Sequence, residues 1–157
     1  MAIYFYKVTD AYGCFSNFSP HGITIAGTYW STVEHYYQAQ KFVGSVDAEM
    51  IPLIHNAATP ELAAALGRDP KLQLRPDWDI AKIEVMHKAV WQKFFTHPDI
   101  RTILLATNEQ LLVEDSPNDY FWGCGNDKTG QNQLGQALMQ VRSELRVLFL
   151  SINTLDK

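Results

Sequence analysis

Residues 30–42, WSTVEHYYQAQKF, decide how the rest of the chain is read. Ser31-Thr32-Val33-Glu34 matches a capping box, in which a hydroxyl opens a helix and a glutamate three residues on bonds back to the cap's N–H. A helix is predicted from residue 31 to about residue 42. At about 100° per residue, Glu34, Gln38 and Lys41 fall within roughly 60° of one another. Val33, Tyr36, Tyr37, Ala39 and Phe42 spread over most of the remaining circumference, so the helix is expected to be packed on several sides. The polar stripe then faces either a cleft or the one solvent-open edge, and Glu34 has in addition the plain role of completing the capping box.

Upstream, residues 3–6 read as a short strand and residues 12–20 (YGCFSNFSP) as a loop rich in turn formers. Residues 23–25 and 28–30 flank Ala26-Gly27, a tight hairpin with Gly27 supplying a positive φ. Downstream, Thr59-Pro60-Glu61 is a cap, an N1 proline and a first-turn acid, opening a helix that ends near Gly67. Residues 80–97 carry Ile83, Met86, Val90 and Phe94 at helical spacing. Pro98-Asp99 begins another helix over 100–106, residues 110–113 add a strand, and Leu134, Leu138, Val141, Leu145 and Leu148 mark a closing helix over 134–150. The expected fold is α+β: a single compact, mainly helical domain over 1–157 with a small antiparallel β-sheet.

With 157 residues the chain has the length of one ordinary domain, and 46% hydrophobic against 19% charged residues is a globular balance. A net charge of −4 argues against a broadly basic surface, so any nucleic-acid contact is expected to be local. Cys14 and Cys124 fit neither a metal spacing nor a disulfide framework, and the first residues lack a signal-peptide layout. No apolar run approaches the roughly 20 residues that cross a bilayer. A reduced, cytoplasmic protein with no membrane partner is expected.

Residues 114–131 form a long loop, and such loops are usually functional. Within FWGCGNDKTGQNQLG, residues 121–135, Gly123, Gly125 and Gly130 surround Asn126, Asp127 and Asn132 just before a helix. Glycines allow close backbone approach, and N–H groups at a helix start suit phosphate; the alternative is a turn-rich connection. The run is neither a P-loop nor a dinucleotide fingerprint. Trp30, Trp78 and Trp122 sit at element boundaries, where an aromatic either seals a core or stacks on a flat base, whereas Trp91 reads as core. The acids to weigh are Glu34, Glu114, Asp115 and Asp119. No serine elbow, zinc motif or CxxC pair is present, the cysteines read as inert, and His35 points to a different side of the helix from Glu34. No metal site is read.

Taken together, FSNFSP (15–20), WSTVEHYYQAQKF, LGRD (66–69), LRPDW (74–78), VMHKAVWQKF (85–94), LLATNEQLLVE, DYFWGCG and NQLGQALMQVR closely resemble the NADAR family of YbiA-like proteins, from about residue 3 to 148. The resemblance implies an α+β fold and N-glycosidase activity with neither metal nor cofactor. It implies one of two substrate classes: phosphoribosylamino-pyrimidine intermediates of riboflavin synthesis, or ADP-ribose on a nucleobase, notably guanine in DNA. By motif position Glu34 is the first catalytic residue and Asp119 the second acid, with Gln38 and Lys41 assisting substrate or phosphate. Asn17, Phe18, Trp30, Trp78 and Trp122 are implied walls for base or ribose. Arg68, Lys88 and the loop at Gly123, Gly125 and Asn132 are implied contacts for phosphate. Many relatives carry an acid where Cys124 stands and a glycine where Lys128 stands, so position 124 is not expected to be essential. The extended glycine loop and several basic residues, which could hold a diphosphate, tip the reading toward ADP-ribose, on a nucleotide or on single-stranded DNA. The competing class is a module that binds ADP-ribose or a nucleotide without cleaving it. Whether a toxin partner exists is not legible in the sequence.

Overall fold

The computed structural model describes residues 1–155 and divides them into two compact units. Met1–Ser16 and the chain from Phe94 onward form one, and Asn17–Lys93 the other. Helices carry most of the described residues, with two small sheets, so the class is α+β as expected.

In the first unit, β1 (Ala2–Phe5) pairs in parallel with β4 (Leu111–Glu114), Ile3 opposite Leu112 and Phe5 opposite Glu114. Side chains alternate across a strand, so Ile3 and Phe5 turn into the core while Tyr4 is exposed. Helix α6 (Gln133–Leu155) packs on β4, and α5 (Pro98–Ala106) packs on α6. The predicted stripe closes this core: Leu134, Leu138, Val141 and Leu145 are fully buried. Phe15, at the end of a 3₁₀ turn over Gly13–Phe15, meets Phe5 and Phe94 edge-on at 5.7 and 5.9 Å.

In the second unit, β2 (Ile23–Ile25) and β3 (Thr28–Trp30) form the predicted antiparallel hairpin. Its turn has positive φ at both Ala26 (51°) and Gly27 (81°), whereas only Gly27 was expected to need it. This is the geometry of a type I′ turn, whose twist matches that of the strands. Four helices follow: α1 (Val33–Gln40), α2 (Met50–His55), α3 (Pro60–Gly67) and α4 (Trp78–Thr96), the last belonging to this unit as far as Lys93.

The cap of α1 is Thr32, not Ser31: the Thr32 hydroxyl accepts the His35 N–H at 3.2 Å and lies 2.8 Å from His35 Nδ1. The third helical residue is therefore His35, and the capping-box role expected of Glu34 is lost. Helix α3 begins as its sequence predicts, with Thr59 accepting from the Leu62 N–H at 3.1 Å and Pro60 at the first position. Helix α2 contains Pro52 and has no counterpart in the sequence-based elements. The first-turn position of the proline makes its missing N–H harmless. On α4, Met86 and Val90 are buried, but Ile83 is 43% exposed and leaves the expected core stripe. Trp91 is only half-buried.

Helix α1 packs on α2, α3 and β3, burying Val33, Tyr36, Tyr37 and Ala39 together with Glu34 and Gln38. Each large apolar side chain so enclosed contributes about 1.5–3 kcal/mol. The polar stripe on α1 is thus held by packing around it, not left on a solvent edge.

Candidate active site

Glu34, Gln38 and Lys41 stand on the side of α1 that meets the C-terminal end of α3. The Gln38 amide donates from Nε2 to Glu34 Oε1 at 2.7 Å, with both side chains buried. Turned over, the amide would set its oxygen against the carboxylate, so this orientation follows from the charge on Glu34. From the end of α3, Arg68 brings Nη2 to 3.9 Å from the same Oε1. Its side chain is 63% exposed while that of Glu34 is 6% exposed, so a buried carboxylate faces a cation reaching in from solvent. Lys41 donates from Nζ to the Gly67 carbonyl at 3.3 Å and lies 5.6 Å from the Tyr37 ring centre. Carbonyls at a helix C-terminus favour a nearby cation.

The Lys41 ammonium is lowered to about 8, chiefly by burial, with Glu34 opposing the shift and Arg68 and Lys82 adding to it. A lysine in this range keeps its proton at neutral pH, yet gives it up readily. It can hold a phosphate, donate a proton, or act as a nucleophile once neutral. Beside a buried carboxylate, these are the parts that general acid–base chemistry needs.

Asn17 belongs to the same neighbourhood. Its carbonyl accepts the Glu34 N–H at 3.1 Å, and its side-chain amide points at Met86 Sδ at 3.4 Å. Phe18 beside it is half-buried. Trp78 is buried and tilts against Tyr37 at 5.1 Å. Trp30 is buried too, edge-on to Tyr36 at 5.6 Å and to His55 at 4.8 Å, which makes it a sealing residue of its unit. Lys88 is not with the stripe: it lines a cleft of about 230 Å³ with Tyr36, Gln40, Arg75 and Glu84. Tyr36 and Gln40 leave α1 roughly opposite Glu34 and Gln38. His35 is tied up by Thr32 and by the Ala57 carbonyl at 3.0 Å.

Three participants escaped the sequence reading. Gly67 offers its carbonyl to Lys41, Lys82 lowers the Lys41 ammonium, and the Arg75 N–H donates to the Lys41 carbonyl at 2.8 Å. Arg75 is itself fixed by two bonds to Asp77, at 2.6 and 2.9 Å. It lies in LRPDW, so the motif marked the place without marking the residue.

The loop residues lie in the first unit. Asp119 Oδ1 accepts the N–H groups of Phe121 at 2.9 Å and Trp122 at 2.7 Å, bracing the turn as aspartates do. Trp122 is half-buried and stands edge-on to Phe121 at 4.8 Å. Several of the donors expected to cradle phosphate are engaged within the protein. Gly125 N–H bonds the Ser116 carbonyl, Gly130 that of Cys124, Asn132 that of Gly123, Gln133 that of Phe121 and Leu134 that of Trp122. A phosphate cradle at Gly125 and at the start of α6 would require those bonds to open. Asn132 uses both ends of its amide on β4, accepting from Glu114 N–H at 2.9 Å and donating to the Leu112 carbonyl at 2.8 Å. Lys128 pairs with Asp115, and burial, then the Asp115 bond, raise the Cys124 thiol, so no reactive thiolate arises there.

Among the described residues no helix is long and apolar enough to cross a membrane. The NADAR domain model matches residues 4–146. A Nostoc punctiforme protein named N-glycosidase is 67% identical, over 94% of this chain and 95% of its own. A Zea mays protein named as a chloroplastic riboflavin biosynthesis protein is 48% identical, over 91% of this chain but 25% of its own length. The solved NMR structure of the Escherichia coli protein YbiA superposes with a TM-score of 0.86 at 42% identity, covering 95% of this chain and 87% of that one.

Proposed function

The chain belongs to the NADAR domain family, and from that premise we propose that it is an N-glycosidase cleaving the bond between a phosphorylated ribose and a nucleobase-like heterocycle. The observation that carries the assignment of roles is the buried Glu34 carboxylate, bonded by Gln38 and flanked by Arg68 and Lys41. Cleavage breaks the C1′–N bond with positive charge gathering on the ribose. A carboxylate held in a protein interior stabilises that charge far better than water would. Water supplies the hydroxyl to C1′, Glu34 takes the water's proton and releases it to solvent, and the departing base nitrogen takes a proton from solvent, so Glu34 serves both as charge stabiliser and as acceptor of the water's proton. Arg68 and Lys41 hold the phosphate. Asp119 is the second acid, with one oxygen already bracing its turn.

Of the two substrate classes, we place the phosphoribosylamino-pyrimidine first. The preference for ADP-ribose draws on the glycine loop together with several basic residues able to hold a diphosphate, and within that loop the Gly125, Gly130 and Asn132 N–H groups are engaged. The name of the Zea mays relative supports the pyrimidine reading, although this chain matches only a quarter of that protein. Removal of ADP-ribose from guanine is the second reading, supported by the exposed Arg68 beside Lys41, a cationic pair able to meet either phosphate group.

The test is turnover by mass spectrometry on the phosphoribosylamino-pyrimidine and on ADP-ribosylated guanine in single-stranded DNA, with Glu34→Gln as control. Cleavage of the pyrimidine compound by the wild type alone is expected. Cleavage of the DNA adduct only would reverse the order, and tight binding with neither ligand cleaved would leave a binding module.

A further inference from the structure

We propose that Gly67 is a positioning residue of this site: its missing side chain is what allows Gln38 to hold Glu34. The residue lies in the last turn of α3 with no positive φ, so its backbone conformation does not call for glycine. Alanine would be the better helix former there. The reason for glycine is across the helix interface. A β-carbon built on Gly67 would stand 2.8 Å from Gln38 Cβ and 2.9 Å from Cδ, and closer still to Oε1; its three nearest neighbours all belong to Gln38. Swinging the amide aside would not relieve the conflict at Gln38 Cβ, so α1 and α3 would have to separate by a few tenths of an ångström or more.

Gln38 is held under an evident constraint. Among the described residues no donor reaches its buried Oε1, while its Nε2 is spent on Glu34. Leaving a buried acceptor unmet is unfavourable, and it is tolerated here because the amide is wedged between Gly67 and the carboxylate. The same residue presents its carbonyl to Lys41, and the next one, Arg68, reaches Glu34. Gly67 is therefore the point at which α3 sets the spacing of the whole stripe. For its catalytic consequence this inference rests on the N-glycosidase reading; for its structural content it does not.

Two measurements on Gly67→Ala separate those parts. In NMR spectra without substrate, the Gln38 side-chain amide of the wild type is expected to exchange slowly and to shift when Glu34→Gln removes the carboxylate. Gly67→Ala should shift that amide and speed its exchange. An unchanged Gln38 amide in Gly67→Ala overturns the proposal whatever the enzyme's substrate. In turnover, kcat is expected to fall roughly tenfold to a hundredfold, as misplaced catalytic groups do, with KM moving far less. An unchanged kcat in a protein whose wild type is active likewise overturns it. Should Gly67→Ala not fold, Gln38→Gly and Gln38→Gly/Gly67→Ala decide: equal melting temperatures support the proposal, and a further loss on adding alanine refutes it. A wild type that cleaves neither substrate defeats the functional reading and leaves the amide measurement standing.

Discussion

Gln38 donates its side-chain amide to Glu34 Oε1 at 2.7 Å, one turn along the same buried helix, so the carboxylate is aimed before any substrate arrives. Preorganisation of this kind is where much of an enzyme's rate advantage resides, because no reorientation is needed as charge develops. Neutralising Glu34 while keeping its shape is accordingly the sharpest probe of the site.

For Glu34→Gln, turnover is expected to fall roughly a thousandfold, the scale seen when a key electrostatic group is removed. Stability should change little, since the new amide can still offer an oxygen to Gln38 and the partner Arg68 is largely exposed at a long 3.9 Å, a contact worth about 1 kcal/mol. Steady-state kinetics and a thermal melt check both parts. A variant with wild-type turnover would remove Glu34 from the chemistry.

Lys41 should leave a signature in pH. Its proton affinity is lowered in the folded state to about 8, so between about pH 8 and the free-lysine value the unfolded chain binds more protons than the folded one. Stability contributed by this group therefore rises with pH across that window, and below it the full penalty, on the order of 3 kcal/mol, applies. Lys41→Met is expected to melt higher than the wild type at pH 7, with the gap closing toward pH 10. The KM of the wild type for a phosphorylated substrate should rise above pH 8, as the charge that holds the phosphate is lost. A gap that stays constant with pH would contradict the assignment.

Asp119 does two things that substitutions can separate. Asp119→Asn keeps the oxygen that accepts from Phe121 and Trp122 N–H, so the melting temperature should hold. Turnover should fall by about tenfold to a hundredfold if the second carboxylate oxygen serves the reaction. Asp119→Ala, by contrast, strands two N–H groups and is expected to cost about 1–3 kcal/mol. Full turnover in the asparagine variant would reduce Asp119 to a brace.

Ala26 occupies left-handed backbone at φ 51° in the hairpin turn, a conformation that costs an alanine roughly 1 kcal/mol. Ala26→Asn gives the Asn-Gly pair that type I′ turns favour and is expected to stabilise the protein by about 0.5–1 kcal/mol, read from denaturant unfolding. A lower midpoint would show that the turn is not the source of strain.

The sequence by itself determined the local structure wherever a single short-range rule governed it. Thr59-Pro60 opened α3, Ala26-Gly27 turned the hairpin, and the leucine stripe on α6 closed a core, because caps, turns and periodic apolar faces act over a few residues. It also marked Glu34, Gln38 and Lys41 as one stripe. The tertiary structure decided what that stripe faces. Thr32 took the cap and released Glu34; α3 supplied Gly67 and Arg68; and several donors of the glycine loop went to nearby carbonyls. None of this is periodic. A glycine required by a neighbouring helix leaves the same letter in the sequence as one required by a turn, and only the packing of α1 on α3 tells them apart.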